Sequence, residues 1–174
     1  MIDEPNHAIA NDGPRLLLAP IGVIHSPFQQ QLGTPIQPYS AEGAQGTVEI
    51  FPSYAQGLVD LGGFERIWLI YWFDRACAAK LSVLPYRDTR EHGLFATRVP
   101  SRINPIGMSA VHLLGVHGTT LQVGEIDILD GTPLLDIKPY VPDYDAYPGV
   151  RAGWVDAPSV GKEPLRADAR FSKD

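Results

Sequence analysis

Residues 107–129 read GMSAVHLLGVHGTTLQVGEIDIL. Two runs, 107–116 and 119–129, alternate apolar with polar or small residues, the period of a strand with one covered face. His117-Gly118 sits between them and suits a tight hairpin turn. The same pattern extends outward from this hairpin. TPLLDIKPY (132–140) reads as a further strand, and ERIWLIYWF (65–73) is a fully apolar run rich in β-formers, the composition of a buried central strand. TVEIF (47–51) and LFAT (94–97) add short strands, and RLLLAPIGVIHS (15–26) ends in alternation and stops at Ser26-Pro27. PSYAQGLVDL (52–61) reads as one helix, started by Pro52 and Ser53 and stopped by Gly62-Gly63. Residues 75–93 read as irregular. Six or seven strands with one helix and no βαβ alternation predict a mainly β fold with minor α, a closed or nearly closed mixed β-barrel. The expected organisation is a mobile leader over 1–15 and a barrel domain over 16–142. An arm and tail over 143–174 follows, frayed from about Asp156, with no additional C-terminal domain.

Several functions are excluded early. The 174 residues carry a net charge of −6, which opposes broad electrostatic affinity for nucleic acid without excluding a local basic face. The chain lacks any run approaching eighteen apolar residues, and its first residues, MIDEPNHAIANDGPR, do not have the basic start and apolar core of a signal peptide. The expectation is a cytoplasmic protein with no membrane association. Cys77 is the one cysteine and reads as packing. Neither a GxGxxG after a strand nor a Walker loop is present, and the histidines have no metal spacing. Asp143 and Asp145 lack the remaining spacing of a calcium loop, so no metal is expected.

Three segments carry candidate chemistry. Residues 28–46, FQQQLGTPIQPYSAEGAQG, form a long loop, a length that is usually functional in a compact domain. In FATRVPSRINPIGMS (95–109), Pro100 and Pro105 stiffen the backbone while Arg98, Arg102 and Asn104 project from it. From Leu94 to Ala110 there are two arginines and no acid. These forks suit a carboxylate or phosphate, or else they tie the barrel shut through acids elsewhere. In DILDGTPLLDIKPY (127–140), Asp130-Gly131 is a turn, and Asp136, Lys138 and Tyr140 share one strand face opposite Leu135, Ile137 and Pro139. That face is either the polar wall of a pocket or an Asp–Lys pair steadying the strand.

Together with IGVIHSPF (21–28) and FERIWLIYWF (64–73), these last two segments closely resemble the TrmO family of S-adenosylmethionine-dependent tRNA methyltransferases, over about Leu18 to Pro142. The resemblance implies a single-sheeted β-barrel methyltransferase, usually a homodimer. The implied activity is methylation of N6 of the threonylcarbamoyl-adenosine beside the tRNA anticodon. It also implies that the methyl donor contacts Gln37, Pro38, Tyr39, Asp74, Arg75, Arg98, Met108, Ile128, Leu129, Asp130 and Gly131. Arg102 and Asn104 would face the RNA phosphate or the threonyl carboxylate of the substrate. Asp136 is the candidate to take the acceptor's proton, with Lys138 or Tyr140 as orienting or electrostatic partners. Two departures stand out: WFD where WFH is common, and SRINP where FRPNP is usual. Two other readings stay open here. One is S-adenosylmethionine-dependent methylation of another RNA or a small molecule; the other is a non-catalytic module that binds S-adenosylmethionine.

Overall fold

The computed structural model describes residues 16–157, 166–168 and 171. In chain order the strands are β1 (Gly22–His25), β2 (Gln45–Ile50), β3 (Arg66–Trp72), β4 (Ser82–Val83), β5 (His92–Gly93), β6 (Ile106–His117), β7 (Thr120–Gly124) and β8 (Thr132–Pro139). One α-turn, α1 (Pro142–Asp145), follows β8. Six strands close a barrel in the order β1-β2-β7-β6-β3-β8, and β4 pairs with β5 apart from it. The expected barrel is therefore present, but its ladders are antiparallel throughout rather than mixed.

The hairpin that decided the reading forms β6 and β7. His117 pairs with Thr120, leaving a two-residue loop in which Gly118 has φ +61°, a conformation that costs glycine little. Alternation then sorts side chains between two faces. Ile67, Leu69 and Tyr71 of β3, Val111 and Leu113 of β6, and Leu121 and Val123 of β7 point inward, where Ile24, Val48 and Leu134 meet them. Barrel closure leaves the main sheet with no free edge strand.

Several local expectations give way to tertiary context. ERIWLIYWF is not covered on both faces: Trp68 and Ile70 are half-buried, and Trp72 is exposed on the outer wall. Residues 52–61 make a 3-10 helix over Pro52–Leu58 instead of the expected α-helix; it buries no residue, and Asp60 beyond it is left-handed. LFAT is not a strand: Leu94–Ala96 is a 3-10 turn that seats Leu94 in a small core with Val83 and Val99. The second hairpin strand ends at Gly124, and Glu125 turns the chain with φ +57°. A bulge in β8 sets Ile70 opposite Asp136 but Tyr71 opposite Leu134. Leu134 and Ile137 are consequently the residues that pack on the core, not Leu135 with Ile137.

The leader 1–15 and residues 158–165 lie outside the described residues. Where the tail is described, it is packed rather than frayed. Arg166 bridges Pro35, the Ala167 N–H donates to Thr34 O at 2.8 Å, and Phe171 is buried against Val83, Leu94 and Val99. Trp154 stacks on His92 with ring centres 4.4 Å apart and donates to Ala96 O at 2.7 Å. Cys77 is half-buried, its thiol 3.3 Å from Phe171 O.

Candidate active site

The antiparallel order decides where the candidate residues meet. One end of the barrel receives the C-terminal ends of β1, β3 and β7 and the N-terminal ends of β2, β6 and β8. Segments 26–44, 73–105 and 125–131 therefore all open at this one mouth. They carry nearly every residue expected to touch the methyl donor. The opposite end holds segment 51–65, the β6–β7 turn and the exit from β8.

Asp130 is the hub of one cluster. Its Oδ1 accepts from the Ser26 N–H at 3.1 Å and lies 3.3 Å from His25 Nδ1, while Oδ2 accepts from Gln29 Nε2 at 3.2 Å. The Ser26 N–H is the main reason the carboxyl titrates below the usual carboxylate range, with the Gln29 and His25 bonds adding to it. Its backbone N–H donates to Phe28 O, and the Gly131 N–H to Ile24 O, so the turn is stitched to β1. Gly131 has φ +75°. From the other side, Arg75 Nη2 donates to Asp130 O at 2.8 Å and to Thr132 Oγ1 at 3.0 Å, and Arg75 Nε reaches Asp74 Oδ1 at 3.4 Å. Asp74, Arg75, Asp130 and Gly131 are thus one network, with Ile128 buried beneath it and Leu129 half-buried beside it.

A second cluster joins the long loop to the arginine loop. Arg98 Nη1 donates to Gln37 Oε1 at 3.1 Å. Pro38 and Tyr39 start a short 3-10 turn directly after Gln37, and the Arg87 guanidinium lies 5.3 Å from the centre of the Tyr39 ring, within cation–π range. Among the described residues the remaining Arg98 N–H donors stay free, a chemistry that suits a carboxylate.

Other expected residues stand elsewhere. Arg102 takes the structural role left open by the sequence, though through carbonyls rather than acids: Nη1 donates to Thr97 O at 2.8 Å and Leu94 O at 3.4 Å. Arg102 and Asn104 also line a shallow cavity of about 340 Å³ with Phe95, Ile103 and Ile106. Met108 lies on the outer wall, where its partner Ile70 separates it from Asp136. Lys138 Nζ contacts Asp136 Oδ2 at 2.8 Å, with the two side chains 61% and 45% exposed. Tyr140 packs against Trp68, and its N–H donates to Arg66 O at the far end of the barrel. At about 3.3 Å per residue, Asp136 is on the order of 15 Å along β8 from Gly131 and Tyr140 nearly twice that. Asp136, Lys138 and Tyr140 are not brought to the mouth of their own barrel.

The sequence reading does not single out a buried polar group under that mouth. Tyr71 O–H lies 3.1 Å from Ser109 Oγ, and Ser109 in turn hydrogen-bonds the Asp127 carboxyl. Burial pushes the Asp127 carboxyl up to about 7, against the opposing Ser109 bond and Arg98 charge. Tyr71 is raised as well, first by burial and then by Asp127. The available signal was an acid inside the apolar alternation EIDIL, and it is weak without the partners that folding supplies.

Profiles of known families match this chain as well. The tRNA-methyltransferase O N-terminal domain, TrmO_N, covers residues 23–146. The chain belongs to the TrmO family. It is similar to a protein of Pyrococcus abyssi named as a probable S-adenosyl-L-methionine-binding protein, 50% identical over 152 residues, 87% of this chain and 83% of that one. The tRNA (adenine(37)-N6)-methyltransferase of Escherichia coli is 32% identical over 163 residues, 88% of this chain and 69% of that protein. The crystal structure of TrmO from Pseudomonas aeruginosa superposes with a TM-score of 0.70 at 38% identity, over 82% of this chain. The chain spans 64% of that TrmO's length. Among the described residues no helix is long and apolar enough to cross a membrane, and no group of three or more His, Cys, Asp or Glu could hold a metal ion.

Proposed function

We propose that this chain transfers the methyl group of S-adenosyl-L-methionine to N6 of threonylcarbamoyl-adenosine at position 37 of tRNA. The observation that carries the reading is the convergence of three loops at one mouth in a TrmO-family barrel: Asp74, Arg75 and Asp130 on one side, Gln37 and Arg98 on the other. The residue types fit a donor with an α-amino acid and a nucleoside. Arg98 offers a fork to a carboxylate, and Asp130 accepts from an amine or a ribose hydroxyl. Transfer itself needs the acceptor nitrogen held in line with the sulfur–methyl bond, so a stiff mouth supplies much of the rate through positioning. Arg102, Asn104 and exposed Phe95 form the face offered to the tRNA, the aromatic ring as a stacking surface. The setting is cytoplasmic.

The working unit is a homodimer joined through the outer wall of β3 and β6. Trp72, Ile106 and Met108 are 45%, 41% and 46% exposed there, an apolar surface of the kind that interfaces cover. In that arrangement Met108, Asp136 and Lys138 border the second subunit's mouth, and the Asp136–Lys138 pair is available to orient its ligands. Calorimetry with S-adenosylmethionine, on wild type and Arg98→Ala, tests the donor site, and methylation of tRNA carrying threonylcarbamoyl-adenosine tests the reaction. Donor binding without transfer to any RNA would instead leave a binding module, and transfer to another acceptor would change the substrate alone.

A further inference from the structure

We propose that Asp127 is the proton acceptor of this site, its unpaired carboxylate oxygen taking the proton of the acceptor nitrogen as that nitrogen receives the methyl group. The inference rests on the methyl-transfer reading above and adds the group that completes it.

Geometry carries the assignment. Asp127 belongs to the 125–131 segment that opens at the mouth, and it stands between Ile126 and Ile128, 0% and 3% exposed. Among the described residues its Oδ1 is closed to solvent and has no hydrogen-bond partner. A buried acceptor left unmade costs about 1–3 kcal/mol, so an orphan of this kind in a folded chain asks for a role. When ionised the oxygen is an acceptor only, and in the proposed step the N–H that satisfies it reaches it once the bound acceptor displaces the side chains that close it off in the free protein. The neighbouring hydroxyls are already ordered. Tyr71 Oη and Ser109 Oγ share a hydrogen bond at 3.1 Å, and Ser109 also interacts with the Asp127 carboxyl. Tyr71 is itself fixed by Gly107, where a Cβ would stand 2.3 Å from its ring. Ser109 and Tyr71 are positioning residues; Asp127 is the catalytic one.

The titratable groups acting on Asp127 are Tyr71 from β3 and Arg98 from the arginine loop, while Ser109 of β6 contributes a hydrogen bond and Ile126 and Ile128 are apolar. Arg98 is held at the mouth by an exposed bond to Gln37 that an incoming ligand can replace. Burial lifts the carboxyl to about 7, which makes it a base matched to neutral pH. The alternative acid, Asp136, is spent on Lys138 and the Ile137 N–H out on the wall.

The step balances. The N–CH3 bond forms as the S–CH3 bond breaks, with that electron pair going to sulfur. The N–H bond breaks with its pair left on nitrogen, and the proton ends on Asp127 Oδ1. The sulfonium charge and the carboxylate charge are consumed together, and the proton passes to solvent as the products leave.

The test measures kcat against pH from 5 to 9 on tRNA bearing threonylcarbamoyl-adenosine, with donor affinity by calorimetry. The wild-type rate should rise tenfold per pH unit and level near 7. Asp127→Asn should lose at least ~100-fold in kcat, with donor affinity within about threefold and a cooperative unfolding transition retained. Ser109→Ala removes a bond that favours the charged form, so its rising limb should move to higher pH. Carboxyl-carbon NMR of the protein alone should show one acid titrating near 7 that is missing in Asp127→Asn. The proposal is overturned if Asp127→Asn keeps its kcat, if its defect vanishes at saturating donor, or if Asp136→Asn removes the rising limb instead. Either of the first two results, with an active wild type, leaves the methyl-transfer reading standing. A wild type that transfers no methyl group overturns both.

Discussion

Asp127→Asn should stabilise the protein at neutral and alkaline pH but not at acid pH. The folded carboxyl titrates at about 7 against 3.8 for an unburied one. Between these values the folded chain holds a proton that the unfolded chain has released, so folding stability falls as pH rises from about 4 to 7 and is level above that. About three pH units at ~1.36 kcal/mol each give an upper limit of about 4 kcal/mol, reduced by whatever relaxation lets water approach the ionised group. An asparagine has nearly the same shape and nothing to ionise. The melting temperature of the variant should equal or fall below that of wild type at pH 4.5, and exceed it by on the order of 5 °C at pH 8, at a few degrees per kcal/mol for a chain of this size. Other titrating groups cancel in the difference between the two proteins. A difference in melting temperature that stays constant between pH 4.5 and 8 would refute the reasoning, since it would mean that Asp127 is not held protonated by burial. The expected trade of stability for a poised base is common at functional sites.

Gly107→Ala should destabilise the barrel by about 1–3 kcal/mol, because its Cβ would stand 2.3 Å from the Tyr71 ring and 2.9 Å from Phe73; urea unfolding reads this directly. Arg75→Ala removes the bonds to Asp130 O and Thr132 Oγ1, and calorimetry should show donor affinity weakened about tenfold or more. Asp136→Ala breaks an exposed ion pair and should cost under about 1 kcal/mol of stability in chemical denaturation. Trp72→Glu places a charge on the apolar outer wall, and sedimentation at micromolar concentration should show the proposed dimer of the wild type converted to a monomer.

Much of the fold was legible because strand alternation is local. β6, β7, β8 and β1 are visible as period-two runs, and His117-Gly118 marks the hairpin. Local evidence failed where packing outvoted it. LFAT has strand-like residues yet turns, because Leu94 is drawn into a small core closed by Val83, Val99 and Phe171. Residues 52–61 bring only Leu58 and Leu61 to the core, too little to form a helix-long apolar face, so no α-helix is propagated there. The bulge between Asp136 and Leu134 changes which residues face inward, and parity counted along a sequence does not register an extra residue.

The sequence by itself determined the six barrel strands and the motif segments between them. Only the tertiary structure decided that three segments far apart in the chain open at one end of the barrel, since this follows from the antiparallel order in which the strands close. It also separated Asp136, on the solvent side of β8, from Asp127, whose Oδ1 is shut off from solvent. Both are aspartates in the same fourteen-residue motif. Burial sets their difference, because removal from water acts on the charge of one and leaves the other paired in solvent.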